Sequence, residues 1–194
     1  MEIDLTNLEF DHSMDDDWPE GKVGYCAIVG RPNVGKSTFI NQVLQYHLTA
    51  VSSKPNTTRK RWLGIYSSEK TQIIFTDTPG NHAEVTKMHE AMMKGVRQSI
   101  QKNDVILCLC DASREFGDED QLVCDTIKES KKPVILAVNK VDSVTMTEAR
   151  AMKMKYLKQL GRRTPVIEVS ALHGNRTDDL IGMITERLPE GPFL

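Results

Sequence analysis

"YCAIVGRPNVGKST", residues 25–38, decides the fold. Its first six residues, "YCAIVG", form an apolar run of strand type, and Lys36 opens an amphipathic stretch that reaches Gln45. Between them "GRPNVGKST", residues 30–38, fits G-x-x-x-x-G-K-[ST]. A strand passing through a glycine-bounded loop into a helix is the phosphate-binding arrangement. Gly30 and Gly35 let the backbone curl so that N–H groups from Asn33 to Thr38 converge, with the positive end of the helix behind them. The candidate phosphate contacts are therefore Gly30, Arg31, Pro32, Asn33, Val34, Gly35, Lys36, Ser37 and Thr38. Lys36 is placed to reach the β and γ phosphates, and the Ser37 hydroxyl to bind Mg²⁺.

Outward from this loop, apolar strand-like runs alternate with amphipathic helix-like stretches. Strands are predicted at 25–30, 62–68, 71–77, 105–111, 133–139 and 165–171, and helices at 36–45, 85–101, 118–130, 146–160 and 177–188. That alternation predicts an α/β fold of the P-loop NTPase type: three layers, a six-stranded, mostly parallel sheet, and helices on both faces. The second and third strands are separated by Glu69 and Lys70 alone, too few residues for a helical crossover, so one strand of the sheet is antiparallel. In the second helix Met88, Met92, Val96 and Ile100 recur every four residues as one apolar stripe. Thr177 reads as the N-cap of the last helix, with Asp178 and Asp179 in its first turn.

A phosphate loop does not choose a base. "NKVD", residues 139–142, ends the fifth strand, and there the Asp142 carboxylate can accept from both the ring N–H and the exocyclic amine of guanine. Adenine presents an acceptor in place of that N–H and lacks the amine, so it would leave a buried carboxylate unpaired, a difference worth orders of magnitude. The stem of Lys140 can lie over the purine, and Asn139 can tie this loop to the phosphate loop. In "SAL", residues 170–172, the Ala171 N–H is expected to meet the guanine carbonyl, flanked by Ser170 and Leu172. "DTPG", residues 77–80, is a second phosphate-sensing segment: Asp77 holds Mg²⁺ through a water and the Gly80 N–H approaches the γ-phosphate, with Thr78 and Pro79 between them. "SSKPNTTRKRW", residues 52–62, offers Thr57 and Thr58 to complete the Mg²⁺ shell, and we take Thr58, which directly precedes the Arg.

The chain has 194 residues, 39% of them hydrophobic, enough for one well-buried core. Eight of its 27 acids lie in the first twenty residues, which hold no Lys or Arg; the remainder carries 25 bases against 19 acids. We expect an acidic flexible leader over 1–21 and one domain over 22–188. The mildly basic body permits a nucleic-acid or ribosomal neighbour. Cys26, Cys108, Cys110 and Cys124 fall in or beside apolar runs without metal or redox spacing and read as reduced core thiols. The longest apolar run, 105–110, is too short to span a bilayer, and the start is not a secretory signal, which points to the cytoplasm.

Together "GRPNVGKST", "KPNTTRKR", "DTPG", "NKVD" and "SAL" resemble the Era family of GTPases, in the group that includes TrmE and EngA, over roughly residues 22–194. The resemblance implies a monomeric domain that binds GTP and GDP with Mg²⁺ and hydrolyses GTP. In the full-length protein it implies small-subunit ribosomal RNA and the ribosome as partners, no transmembrane segment, and room for peripheral membrane contact. "LPEGPFL", residues 188–194, is similar to the linker that in Era leads into an RNA-binding KH domain, so the resemblance implies the start of a linker at 189–194 and a KH domain expected to lie beyond Leu194. Arg59, Lys60 and Arg61 read as an RNA contact or as a solvated loop, the latter favoured. Asn81 stands where Ras-like switches keep a water-orienting glutamine and Era-type GTPases a hydrophobic residue. It reads either as a catalytic group, one methylene shorter than glutamine, or as a solvent-facing loop residue. Asn33 lies where cation-activated relatives of this family coordinate K⁺. The catalytic set is thus Lys36, Thr58, Gly80, Asn33 and Asn81. Two alternatives stand beside it: a nucleotide-dependent binding module of the EngA type with very slow hydrolysis, and an ATPase in which Asp142 is accidental.

Overall fold

A computed structural model describes residues 20–45, 62–77 and 100–193. In chain order these residues form β1 (Glu20–Val29), α1 (Lys36–Gln45), β2 (Trp62–Ser68), β3 (Thr71–Asp77), β4 (Val105–Asp111), α2 (Asp118–Ser130), β5 (Val134–Asn139), a 3₁₀ turn (Val141–Ser143), α3 (Met146–Leu160), β6 (Val166–Glu168), α4 (Thr177–Thr185) and β7 (Glu190–Pro192). The sheet order is β2-β3-β1-β4-β5-β6, with β7 paired to β1. Strands β3, β1, β4, β5 and β6 run parallel, and β2 is antiparallel to β3, as the two-residue turn requires.

The central strands are buried on both faces, which is why they read as continuous apolar runs; every residue of β4 is buried. One face of the sheet packs Phe39, Ile40 and Val43 of α1 and Leu180, Ile181 and Ile184 of α4. There Phe39 and Phe75 meet edge to face at 6.0 Å. The other face packs Val123, Cys124 and Ile127 of α2 and Met152 and Tyr156 of α3. Side chains of this size each contribute about 1.5–3 kcal/mol on full burial. Helix ends follow local chemistry: Thr145 caps α3 by accepting from the Glu148 N–H at 3.3 Å, while Glu148 Oε2 accepts from the Thr145 N–H at 2.8 Å. Gly161, at φ 114°, terminates the same helix.

Five expectations change. A seventh strand exists among the described residues: Glu190–Pro192 pairs antiparallel with Glu20–Lys22, so part of the segment read as linker is built into the sheet. For the same reason β1 begins at Glu20, inside the stretch read as leader. The final strand is shorter than predicted, Val166–Glu168, and the final helix ends at Thr185. Thr177 is not the cap of α4: Arg176, at φ 58°, precedes the helix, and the Thr177 hydroxyl donates instead to the Gly174 carbonyl at 2.9 Å. Of the helix predicted over 85–101, the described part, Ile100 and Gln101, is helical; the rest lies outside the described residues, as do 1–19 and 46–61.

Candidate functional site

The loop after β1 turns at the carboxyl edge of the parallel strands, where a ligand crevice forms in open α/β sheets. Its two glycines are required by space as well as by torsion. A Cβ on Gly30 would stand 2.3 Å from the Leu109 carbonyl oxygen, and one on Gly35, at φ 104°, would stand 2.3 Å from Asn139 Nδ2. Asn33 takes the left-handed conformation at φ 64°, which Asn tolerates better than most side chains. Val34 is buried and anchors the loop, whereas Ser37 and Thr38 are exposed at the start of α1. The first α-helical bond runs from the Phe39 N–H to the Gly35 carbonyl, so the amides before Phe39 belong to the turn that has no intrahelical acceptor. Lys36 Nζ donates to the Gly30 and Arg31 carbonyls at 2.9 and 3.0 Å, at the center of the loop.

The loop after β5 is fastened to this one through side chains. Buried Asn139 donates from Nδ2 to the Val34 carbonyl at 2.9 Å, the tie expected of it. Its Oδ1 accepts from the Ala171 N–H at 2.9 Å. The Ala171 donor assigned to a guanine carbonyl is therefore engaged by Asn139, and the 170–172 segment acts here as a fastening for the base loop. Ser170 is fully buried, with its backbone paired to Asn175. Leu172 is 66% exposed at the lip of a cavity of about 250 Å³ that Gly35, Thr38, Asn139, Lys140, Asp142 and Ser143 also line. Asp142 thus faces a space adjoining the phosphate loop, with His173 Nε2 at 3.8 Å from its Oδ2.

Two groups that sequence reading missed hold this arrangement. Asp111, the last residue of β4, accepts from Lys140 Nζ at 2.6 Å and from the Ser113 N–H and hydroxyl at 2.9 and 2.6 Å. Burial raises its pKa, but the hydrogen bonds from Lys140 and Ser113 outweigh that and hold it below the ordinary aspartate value. Lys140 also donates to the Asn33 carbonyl at 2.8 Å, so its stem runs between the base loop and the phosphate loop. The signal available in the sequence was an Asp ending an otherwise apolar strand, one strand before "NKVD". The second group is on α2. The Arg31 side chain turns to α2 and reaches Glu119 Oε2 and Asp120 Oδ2, both at 2.8 Å. Arg31 therefore enters the site by its backbone.

β3 brings the Asp77 backbone to the same edge, in register with Ile28, two residues before Gly30. The Asp77 side chain, Thr57, Thr58, Thr78, Pro79, Gly80, Asn81 and the Arg59–Arg61 cluster lie outside the described residues. All four cysteines are free and buried. Among the described residues no three His, Cys, Asp or Glu side chains group as a metal site, and no helix is long and apolar enough to cross a membrane.

A phosphate loop between a central strand and a helix, beside an Asn-Lys-x-Asp loop at the next-but-one strand end, defines the class: a P-loop nucleotide-binding domain built like a GTPase. Residues 25–140 match the family model described as 50S ribosome-binding GTPase, and the chain belongs to that family. It is 41% identical over 174 residues to GTPase Era of Carboxydothermus hydrogenoformans, covering 88% of this chain and 57% of that protein. The solved structure of Era in complex with MgGDPNP and nucleotides 1506–1542 of 16S ribosomal RNA is 37% identical, with a TM-score of 0.73 over 90% of this chain and 59% of that one. An Era variant from Aquifex aeolicus bound to GDP.AlF4- is 36% identical, with a TM-score of 0.69 over 88% of this chain and 58% of that one. The chain thus spans a little under three fifths of the relatives it matches.

Proposed function

We propose that this chain is the GTP-binding and GTP-hydrolysing switch domain of an Era-like, cytoplasmic factor that assists assembly of the small ribosomal subunit. The observation that carries the reading is the double fastening of Asn139, to Val34 on the phosphate loop and to Ala171 on the 170–172 segment, which holds Asp142 at the cavity beside Gly35. A carboxylate there accepts from the guanine N–H and amine and is left unpaired by adenine. In this reading the phosphate loop amides and Lys36 offset the negative charge that gathers as water attacks the γ-phosphate. Ser37, Thr58 and Asp77 offer oxygen donors only, the set that Mg²⁺ takes, and when bound that ion neutralises charge on the β and γ oxygens. The RNA and ribosome partners are proposed for the whole protein, by analogy with the relative solved with 16S ribosomal RNA.

Displacement of a fluorescent GDP by GTP, GDP and ATP tests the reading. GTP and GDP should compete at least a hundredfold better than ATP, and Asp142→Asn should lose guanine affinity while gaining for xanthine nucleotides, whose 2-carbonyl accepts from an amide. Equal competition by ATP would overturn base selection by Asp142.

Asn81, in place of a glutamine or hydrophobic residue, favours a second reading, a nucleotide-dependent binding module with slow intrinsic hydrolysis. Single-turnover hydrolysis with and without small subunits separates the two. The same assay in K⁺ and in Na⁺ tests Asn33 as a cation ligand, which predicts faster turnover in K⁺ and no such difference in Asn33→Ala.

A further inference from the structure

The phosphate loop is held from two sides by different means. Its second half is tied to the base loop, through Asn139 to the Val34 carbonyl and Lys140 to the Asn33 carbonyl. Its first half, at Gly30 and Arg31, is held by Lys36 Nζ and by the Arg31 side chain. Lys36 is also the ammonium that phosphates recruit, so the Arg31 tie is the one that does not compete with a nucleotide.

That tie is anchored deep in the protein. The Glu119 arm is partly exposed, its side chain at 39%, and is screened; the Asp120 arm ends on a carboxylate that is 5% exposed. Asp120 Oδ2 also accepts from the Gly117 N–H at 2.8 Å, and its Oδ1 accepts from the Tyr156 hydroxyl at 2.5 Å. Tyr156 is fully buried, with Phe116 edge to face on its ring at 5.1 Å. Burial foremost, with the neighbouring cysteines and Asp120, pushes its phenol pKa upward, so it stays a donor. One carboxylate on α2 thus joins the loop to a tyrosine on α3 through three donors of fixed direction.

We propose that Asp120, locked by the Tyr156 hydroxyl, is a positioning residue for the nucleotide: it acts through Arg31 to hold the first half of the phosphate loop in its binding conformation. This rests on the reading of the loop as a guanine-nucleotide site. A latch that pre-organises the loop acts on the ground state and the transition state alike, so its loss shows in affinity and KM and leaves kcat nearly untouched.

The test measures GDP affinity, KM and kcat for GTP, and unfolding without nucleotide, for the wild type, Asp120→Asn, Tyr156→Phe, Arg31→Lys, Arg31→Met and the double variant Arg31→Met with Asp120→Asn. Asp125→Asn, a half-exposed change on the same helix at a carboxylate that does not touch Arg31, is the control. Asp120→Asn and Arg31→Met should each weaken GDP and raise KM about tenfold with kcat within about twofold. Tyr156→Phe should show about a third of that effect, and Arg31→Lys should recover part of the loss of Arg31→Met. The double variant should be no worse than the worse single one. If Asp120→Asn does not fold, the Arg31→Met and Arg31→Lys pair carries the same comparison. Unchanged GDP affinity in a folded Asp120→Asn or Arg31→Met, or losses that add in the double variant, would overturn the latch. A wild type that binds no guanine nucleotide would instead remove the site reading on which it rests.

Discussion

At the scale of single residues, Asp111 shows how a charge outside the recognised motifs fixes one inside them. Its side chain is 2% exposed and is met by Lys140, itself 35% exposed, so the pair is neither a surface pair nor a fully desolvated one. Replacing Asp111 with Asn leaves Ser113 a partner but takes the anion from Lys140, which should cost about 1–2 kcal/mol of stability. The pH dependence follows from the lowered pKa. The stabilisation by Asp111 is complete above the ordinary aspartate value of 3.8 and is lost as pH falls through the lower folded value. In urea unfolding the gap between wild type and Asp111→Asn should therefore be constant from about pH 7 to pH 5 and shrink below about pH 4. A gap that persists undiminished at pH 3 would contradict this account.

At the scale of elements, the least expected feature is β7. The edge of β1 opposite β3 is shared: Cys26–Val29 pair with β4 and Glu20–Lys22 with β7. The Pro189 carbonyl accepts from the Val23 N–H at 3.1 Å, and Lys22 Nζ lies 3.3 Å from Glu190 Oε1. The closeness is steric too. A Cβ on Gly21 would stand 2.9 Å from the Phe193 ring and 2.5 Å from the Lys70 carbonyl oxygen, and one on Gly24 would stand 3.2 Å from Pro189 Cδ. Removing residues 189–194 should cost about 1–3 kcal/mol through these backbone bonds and lower the melting temperature by several degrees. Calorimetry of the shortened chain checks it, and an unchanged transition would mean that β7 adds nothing to the fold. Strand pairing this short has no period to read, and a Glu-Gly-Pro triplet carries turn chemistry, so only the resemblance to a linker spoke for this segment.

At the scale of the whole molecule, the two helical layers bury every cysteine against the sheet. Burial pushes the thiol pKa values up, that of Cys124 to about 12, and those of Cys108 and Cys110 well above the ordinary value. A thiol reagent at pH 8 should therefore label none of the four in the folded protein and all four after denaturation. Rapid labelling of any one would show that its layer opens locally. The sequence by itself determined the alternation of strands and helices, the antiparallel β2–β3 pair, the positions of Gly30 and Gly35, and the approach of Asn139 to the phosphate loop. Those features follow from side-chain period and backbone torsion within a few residues, or from motifs whose parts must meet. Only the tertiary structure decided that Arg31 turns away to Asp120, that the Ala171 N–H serves Asn139, that Asp111 holds Lys140, and that residues 190–192 close on β1. Each of these is a choice among polar partners far apart in the chain, settled by which group packing brings within hydrogen-bond reach, and no local pattern records it.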